Sequence, residues 1–321
     1  MRDHLIGLGA AMLAVTIWAG WIVATRAAGA PEHGAALTPL DIALLRFSAP
    51  ALLLAPIWLA PLWRPAPAQG RDGLGARIGA ALRPKGASWL AVALMFGWGL
   101  PFALAAALGA ARADATAFGA LTPGAMPLWA AGLAWALFGA APGRDRRLGL
   151  WLIAAAAAAS LFLSAAPPSL EAALYLSAAA LFWAAYAVGF ARAGLSPLHA
   201  AGLVGGLSLL LGAPLLLLLP SHLAALSGAE LLWHSVTQGL LAGVLSVAAF
   251  GLALEKLGAA GAAAPALTPP LTSLMGWAWL GEAPDGWGFF AVSLAGVGVF
   301  LAAGGPALLR RGRAQSGAPR R

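Results

Sequence analysis

The chain has no cysteine among its 321 residues. Disulfides, thiol nucleophiles and thiolate metal sites are excluded with it. Charge is scarce as well. Only 9% of residues are charged, against about 25% in an ordinary soluble domain. The five histidines, His4, His33, His199, His222 and His234, are scattered and show no metal-ligand spacing. No glycine-rich stretch is followed by Lys-Ser/Thr, so no phosphate-binding loop is present. No nucleophile–base set stands out for catalysis. The expectation is a protein that is not an enzyme, with no metal and no cofactor.

What fills the chain instead is apolar: 61% of residues are hydrophobic. Apolar runs of about 20 residues recur from end to end, the length a helix needs to cross a bilayer. The predicted fold class is an all-α polytopic membrane protein with ten transmembrane helices. The expected spans are 5–25, 37–59, 89–110, 115–138, 148–166, 171–192, 198–219, 235–254, 259–281 and 286–303. The first follows only Met1–His4 and ends on no small-residue cleavage site, so it reads as a retained helix. The one long connection, Pro61–Ala87, is rich in Pro, Gly and Arg. It reads as a solvated loop with a surface helix near Ala76–Leu82.

The net charge of +8 does not point to nucleic acid, because the basic residues are spread between the apolar runs. With the N-terminus inside, the cytoplasmic side receives sixteen basic residues. They are Arg2, Arg64, Arg71, Arg77, Arg83, Lys85, Arg144, Arg146, Arg147, Arg192, Lys256, Arg310, Arg311, Arg313, Arg320 and Arg321. The outside receives two, Arg26 and Arg112, and Arg46 alone lies within a span. That asymmetry predicts cytoplasmic termini under the positive-inside rule; the expected location is the cytoplasmic (inner) membrane.

The two halves repeat. Trp18-Ala19-Gly20-Trp21 matches Trp183-Ala184-Ala185-Tyr186, and Leu37-Thr38-Pro39-Leu40 matches Leu195-Ser196-Pro197-Leu198. Ala55-Pro56 matches Ala213-Pro214, Leu108-Gly109 matches Leu257-Gly258, and Leu121-Thr122-Pro123 matches Leu267-Thr268-Pro269. The order is the same in both. Five spans per copy is an odd number, so the second copy enters upside down, as in the inverted repeats of secondary transporters. The expected organisation is a first five-helix repeat over 1–166, a second, inverted one over 167–309, and a basic tail over 310–321.

These residues resemble the drug/metabolite transporter superfamily, of the EamA-like ten-helix type, over about Leu5–Ala303. The likeness rests on the Trp-Ala-x-Trp/Tyr cores and on Leu44-Leu45-Arg46-Phe47. It also rests on the two Leu-Thr-Pro motifs, on Leu280-Gly281-Glu282, and on the glycines from Gly286 to Gly298. The first half departs from the pattern at Leu137-Phe138-Gly139-Ala140, which lacks the acid, and in the polyalanine of Ala154–Ala159. The resemblance implies export or exchange of small metabolites, amino acids or drug-like molecules.

Inverted repeats place a substrate near the midplane, between the halves. The expected binding site is an aromatic cavity lined by Trp18, Trp21, Trp98, Trp183 and Tyr186. Pro101 extends its wall, and Thr122–Pro123 and Thr268–Pro269 lie at its sides. Three readings of Arg46 stand: a carboxylate-pairing group toward the outer mouth of the cavity, a structural ion pair in the cavity wall, or a side chain that snorkels outward toward Asp41. Thr122 and Thr268 are expected to satisfy local backbone groups. Trp58, Trp63, Trp89, Trp151, Trp233 and Trp287 lie near span ends, as in an aromatic belt. The acids and histidines nearest the spans, Asp41, His199, Glu255 and Glu282, all lie near span ends, which predicts uncoupled transport or exchange. The expected partners are a small amphipathic solute and the lipid bilayer, with the chain a monomer or homodimer. The rival readings are a non-transporting membrane scaffold and a membrane-embedded enzyme.

Overall fold

A computed structural model describes residues 2–34, 36–63, 73–84 and 87–304. Arg64, Arg71, Lys85 and the 310–321 tail lie outside the described residues. The described chain is helical, and no strand occurs among the described residues. In chain order the main helices are α1 Arg2–Gly29, α2 Pro39–Leu53, α3 Trp89–Ala110, α4 Ala115–Phe138 and α5 Arg144–Phe162. There follow α6 Leu170–Ala193, α7 Pro197–Leu217, α8 Gly228–Leu257, α9 Thr268–Leu280 and α10 Gly286–Ala302. Six of them, α1, α3, α4, α6, α7 and α8, are long and apolar enough to cross a membrane; α10 is apolar but shorter. The surface helix expected in the long loop is present over Leu74–Leu82.

The helices start where polar side chains can take the orphan N–H groups of a first turn. Thr38 and Ser227 form capping boxes with Asp41 and Glu230. Ser88, Asp114, Ser196 and Asp285 cap α3, α4, α7 and α10. Helices α4 and α9, like α6 at Gly194, stop at glycines with positive φ, Gly139 (65°) and Gly281 (73°), where a side chain would be strained.

The chain divides into two compact units, each drawn from both sequence halves. One is formed by the described parts of Met1–Val23, Ala113–Ala173 and Ala249–Arg321. Its helices meet through small residues, as expected where lipid removes the hydrophobic drive for association. In the α5–α10 contact, a Cβ on Gly149 would lie 2.6 Å from the Gly298 carbonyl oxygen and from Ala302 N. In the contact of α4 with α9, a Cβ on Gly119 would lie 3.0 Å from the Pro269 carbonyl oxygen. Polar ties hold the helix ends. Ala115 N donates to Glu282 (2.8 Å), and Asp285 accepts from Ser164 Oγ and from the N–H groups of Ala165 and Gly288. Those donors, the Ala165 N–H foremost, hold the Asp285 carboxyl below its usual range.

The other unit is Ala24–Arg112 with Leu174–Ala248. Here α2 is the centre, with α3, α7 and α8 packed on it. Glycines again set the approach. A Cβ on Gly239 would lie 2.7 Å from the Leu45 carbonyl oxygen, and one on Gly205 would lie 2.9 Å from Ala51 N. Trp58 packs on a neighbouring helix. Its indole occupies the groove over Gly202 and Gly206, where added Cβ atoms would come within 2.8 and 2.3 Å, and its Nε1 donates to the Ala51 carbonyl (3.0 Å). Asp41 is fully buried and accepts from Thr38 N (2.9 Å), Ser221 Oγ (2.6 Å) and His222 N (2.9 Å). Its carboxylate therefore pins the loop after α7 to the start of α2. Arg26 ties α1 to α3 by donating to the Ala110 carbonyl (2.6 Å), and it pairs with Glu32.

Candidate functional site

In the α2-centred unit the expected site residues converge on a break in α3. The helix is interrupted at Gly97-Trp98-Gly99. Gly99 leaves helical geometry (φ −80°, ψ −137°), and the ladder restarts with Phe102 N to Gly97 O and Ala103 N to Gly99 O. A break inside an apolar span leaves backbone groups that only protein or a wet cavity can satisfy. The N–H of Leu100 is satisfied from α7: it donates to Ser208 Oγ (3.0 Å), which in turn donates to the Val204 carbonyl (2.7 Å). A Cβ on Gly99 would lie 2.4 Å from Ser208 Oγ, and one on Gly97 would lie 2.8 Å from the Phe182 carbonyl oxygen. Both glycines are therefore required by close approach. Removing the hydroxyl leaves the Leu100 N–H buried and unmet, which costs about 1–3 kcal/mol. Ser208→Ala is accordingly expected to lower the thermal midpoint clearly, and Ser208→Thr less. Equal midpoints for wild type and Ser208→Ala would show that the break has another support.

The broken segment presents Trp98 to an arginine. Arg46 does not run to the surface; it is 1% exposed. Its guanidinium lies 5.1 Å from the Trp98 ring centroid and 6.0 Å from that of Phe47, and Nη1 donates to the Gln238 carbonyl (3.3 Å). Stacking on indole suits the planar, weakly hydrated guanidinium. Asp41 is held by the donors named above. The aromatic set continues from Trp98 to Tyr186 (5.0 Å between centroids) and to Phe102 (6.4 Å). It runs on from Phe102 to Trp183 (5.9 Å) and from Tyr186 to Phe190 (5.6 Å). Trp98 is buried, while Trp183, Tyr186 and the neighbouring Pro101 are half-buried.

Gln238 is the residue that sequence reasoning missed. It lies in an 11-residue π-helical stretch of α8, Ser235–Leu245, and is fully buried. Its carbonyl faces Arg46, and its side-chain Oε1 accepts from Thr25 Oγ1 (3.3 Å). Thr25, Gln238 and Arg46 thus form one buried polar chain. π-Helical turns recur at functional sites. The signal was an amide inside an apolar run.

The remaining expected site residues lie in the first unit described. Trp18 packs edge-on against Phe250 (5.0 Å) and Trp21 against Phe118 (6.2 Å); both tryptophans are buried. Thr122, Pro123, Thr268 and Pro269 are buried too. The duplicated Leu-Thr-Pro resolves in two ways. In α4 a proline lacks its N–H and crowds the preceding turn, and a π-helical turn over Ala120–Gly124 absorbs it. In α9 Pro270 follows Pro269, so two donors are missing in a row. The helix starts afresh at Thr268 after the 3₁₀ turn Ala264–Leu267. Thr268 does not satisfy a local backbone group as expected; its hydroxyl and that of Thr272 are buried and find no partner among the described residues.

The fold and site so described are those of an all-helical chain with membrane-length apolar helices, two of them broken or π-wound beside a buried arginine. No known family pattern and no curated protein matches the chain. A solved structure described only as the crystal structure of a protein aligns over 97% of this chain and 98% of its own. The TM-score is 0.56 and the identity 19%. The likeness shows a shared fold from end to end.

Proposed function

We propose that the protein is a secondary transporter for a small amphipathic solute, of the drug/metabolite transporter type, that works by alternating access. The observation that carries it is the interruption of α3 at Gly97–Gly99 with the Arg46 guanidinium stacked on Trp98. Interrupted helices at membrane depth are where transporters hold their substrates, and an ionisable residue there is a functional candidate by default. The guanidinium would pair a carboxylate, and the aromatic set would take an apolar or aromatic body. An apolar amino acid has both parts.

The helix pairing supports the inverted five-helix repeat. Within the two units α4 packs on α9, α5 on α10 and α2 on α7, the mates that such a repeat relates. Ten spans with cytoplasmic termini belong to the same reading. The test is uptake by proteoliposomes of the purified chain, with labelled apolar amino acids as the probe set. Uptake that saturates and exchanges with internal solute is expected. No flux for any carboxylate or neutral analogue, with the protein folded and oriented, would leave a membrane scaffold as the reading.

A further inference from the structure

We propose that the face between the surface helix Leu74–Leu82 and the first turn of α3 binds the headgroup phosphate of an anionic phospholipid. The observations are independent of any transported solute. The loop sequence from Pro61 to Ala87 carries five basic residues against one acid, Asp72. Two of the five, Arg77 and Arg83, lie on or just after the described helix. Leu74 and Ile78, one turn apart, are 70% and 43% exposed. Leu74 and Ile78 give the helix an exposed apolar edge, with Arg77 beside it and Arg83 just past its last residue, the make-up of a helix that lies in a membrane interface.

The other side of this helix borders a cavity of about 570 Å³. Ala76, Gly79, Ala80 and Arg83 line it at i, i+3, i+4 and i+7 spacing, and Ser88 and Trp89 close it from α3. The helix contributes only small side chains to the wall, so space for a headgroup is left beside Arg83, the one cation among the described residues that line it. That cation is held: the Arg83 guanidinium lies 5.5 Å from the Trp89 ring centroid. Stacking leaves the guanidinium edge with its N–H donors for an acceptor. Trp89 opens α3 and is half-exposed, the position an interfacial aromatic takes at headgroup level. The charge asymmetry of the sequence puts this loop on the cytoplasmic side, where anionic lipid attracts basic juxtamembrane segments.

The experiment uses the full chain purified in detergent. Its thermal midpoint is measured with dioleoylphosphatidylglycerol, with dioleoylphosphatidylcholine at the same mole fraction, and with millimolar inorganic phosphate. Phosphatidylglycerol is expected to raise the midpoint by several degrees beyond phosphatidylcholine, since a ligand of the native state stabilises it. Arg77→Gln with Arg83→Gln should abolish that increment, measured against the variant's own midpoint in phosphatidylcholine. Equal shifts with the two lipids, an increment that survives in the double variant, or the same increment with free phosphate would each overturn the proposal. A second measurement needs no variant. In native mass spectra from an equimolar lipid mixture, the wild-type chain should retain phosphatidylglycerol in preference to phosphatidylcholine, and equal retention would sink the assignment.

Discussion

Gly149→Ala is expected to destabilise the protein by about 1–3 kcal/mol, the usual cost of forcing extra volume into a packed contact. The added methyl would lie 2.6 Å from the Gly298 carbonyl oxygen and from Ala302 N. Both atoms are backbone, so no side chain can rotate away, and α5 and α10 must part. Gly298→Ala meets the same contact from the other side, at 2.7 Å from Ile153 Cγ1 and 2.8 Å from the Gly149 carbonyl oxygen. The internal control is Gly132→Ala on α4, where nothing lies within 4 Å of the new methyl. There the helix propensity difference alone acts, and it favours alanine by about 1 kcal/mol. The three variants should therefore separate in thermal midpoint in opposite directions. If Gly149→Ala melts with Gly132→Ala, the close α5–α10 crossing does not exist in the folded protein.

The helices were legible because apolar length is a local property. The expected spans 5–25, 89–110, 115–138 and 171–192 fall on α1, α3, α4 and α6, each an apolar run of about the length that crosses a bilayer. What joins helices was not legible. Trp58 reads as an interfacial residue from its place near a span end; only Gly202 and Gly206, some 140 positions on, turn that place into a groove. The break in α3 depends on Ser208 in the same way. Gly97 and Gly99 announce flexibility, but the acceptor that satisfies Leu100 comes from another helix. The two Leu-Thr-Pro motifs look alike in sequence and differ in structure, and their flanks differ too: Gly119 and Gly124 around the first, Pro265 and Pro270 around the second. Arg46 was visible as a lone charge in an apolar run. Its stacking on Trp98 was not, since nothing in the local sequence aims the guanidinium inward.

Arg46→Met is expected to reduce transport of a carboxylate solute about 10- to 150-fold and to leave a neutral ester or amide analogue within a few-fold of wild type. The range is that of one charge-assisted hydrogen bond, about 1.5–3 kcal/mol. Methionine keeps much of the volume and removes the charge. Among its partners in the folded chain are the Trp98 and Phe47 rings and the Gln238 carbonyl, and none of these three is left as a bare ion. The variant should therefore fold, and a thermal midpoint near that of wild type separates a binding defect from unfolding. Arg46→Lys sharpens the test. Lysine keeps the charge but loses the planar donors and the stacking face. It should restore part of the carboxylate flux and remain clearly below wild type. Equal losses for the carboxylate and its neutral analogue in both variants would make Arg46 a structural cation of the α2–α8 contact and would move the anion site elsewhere.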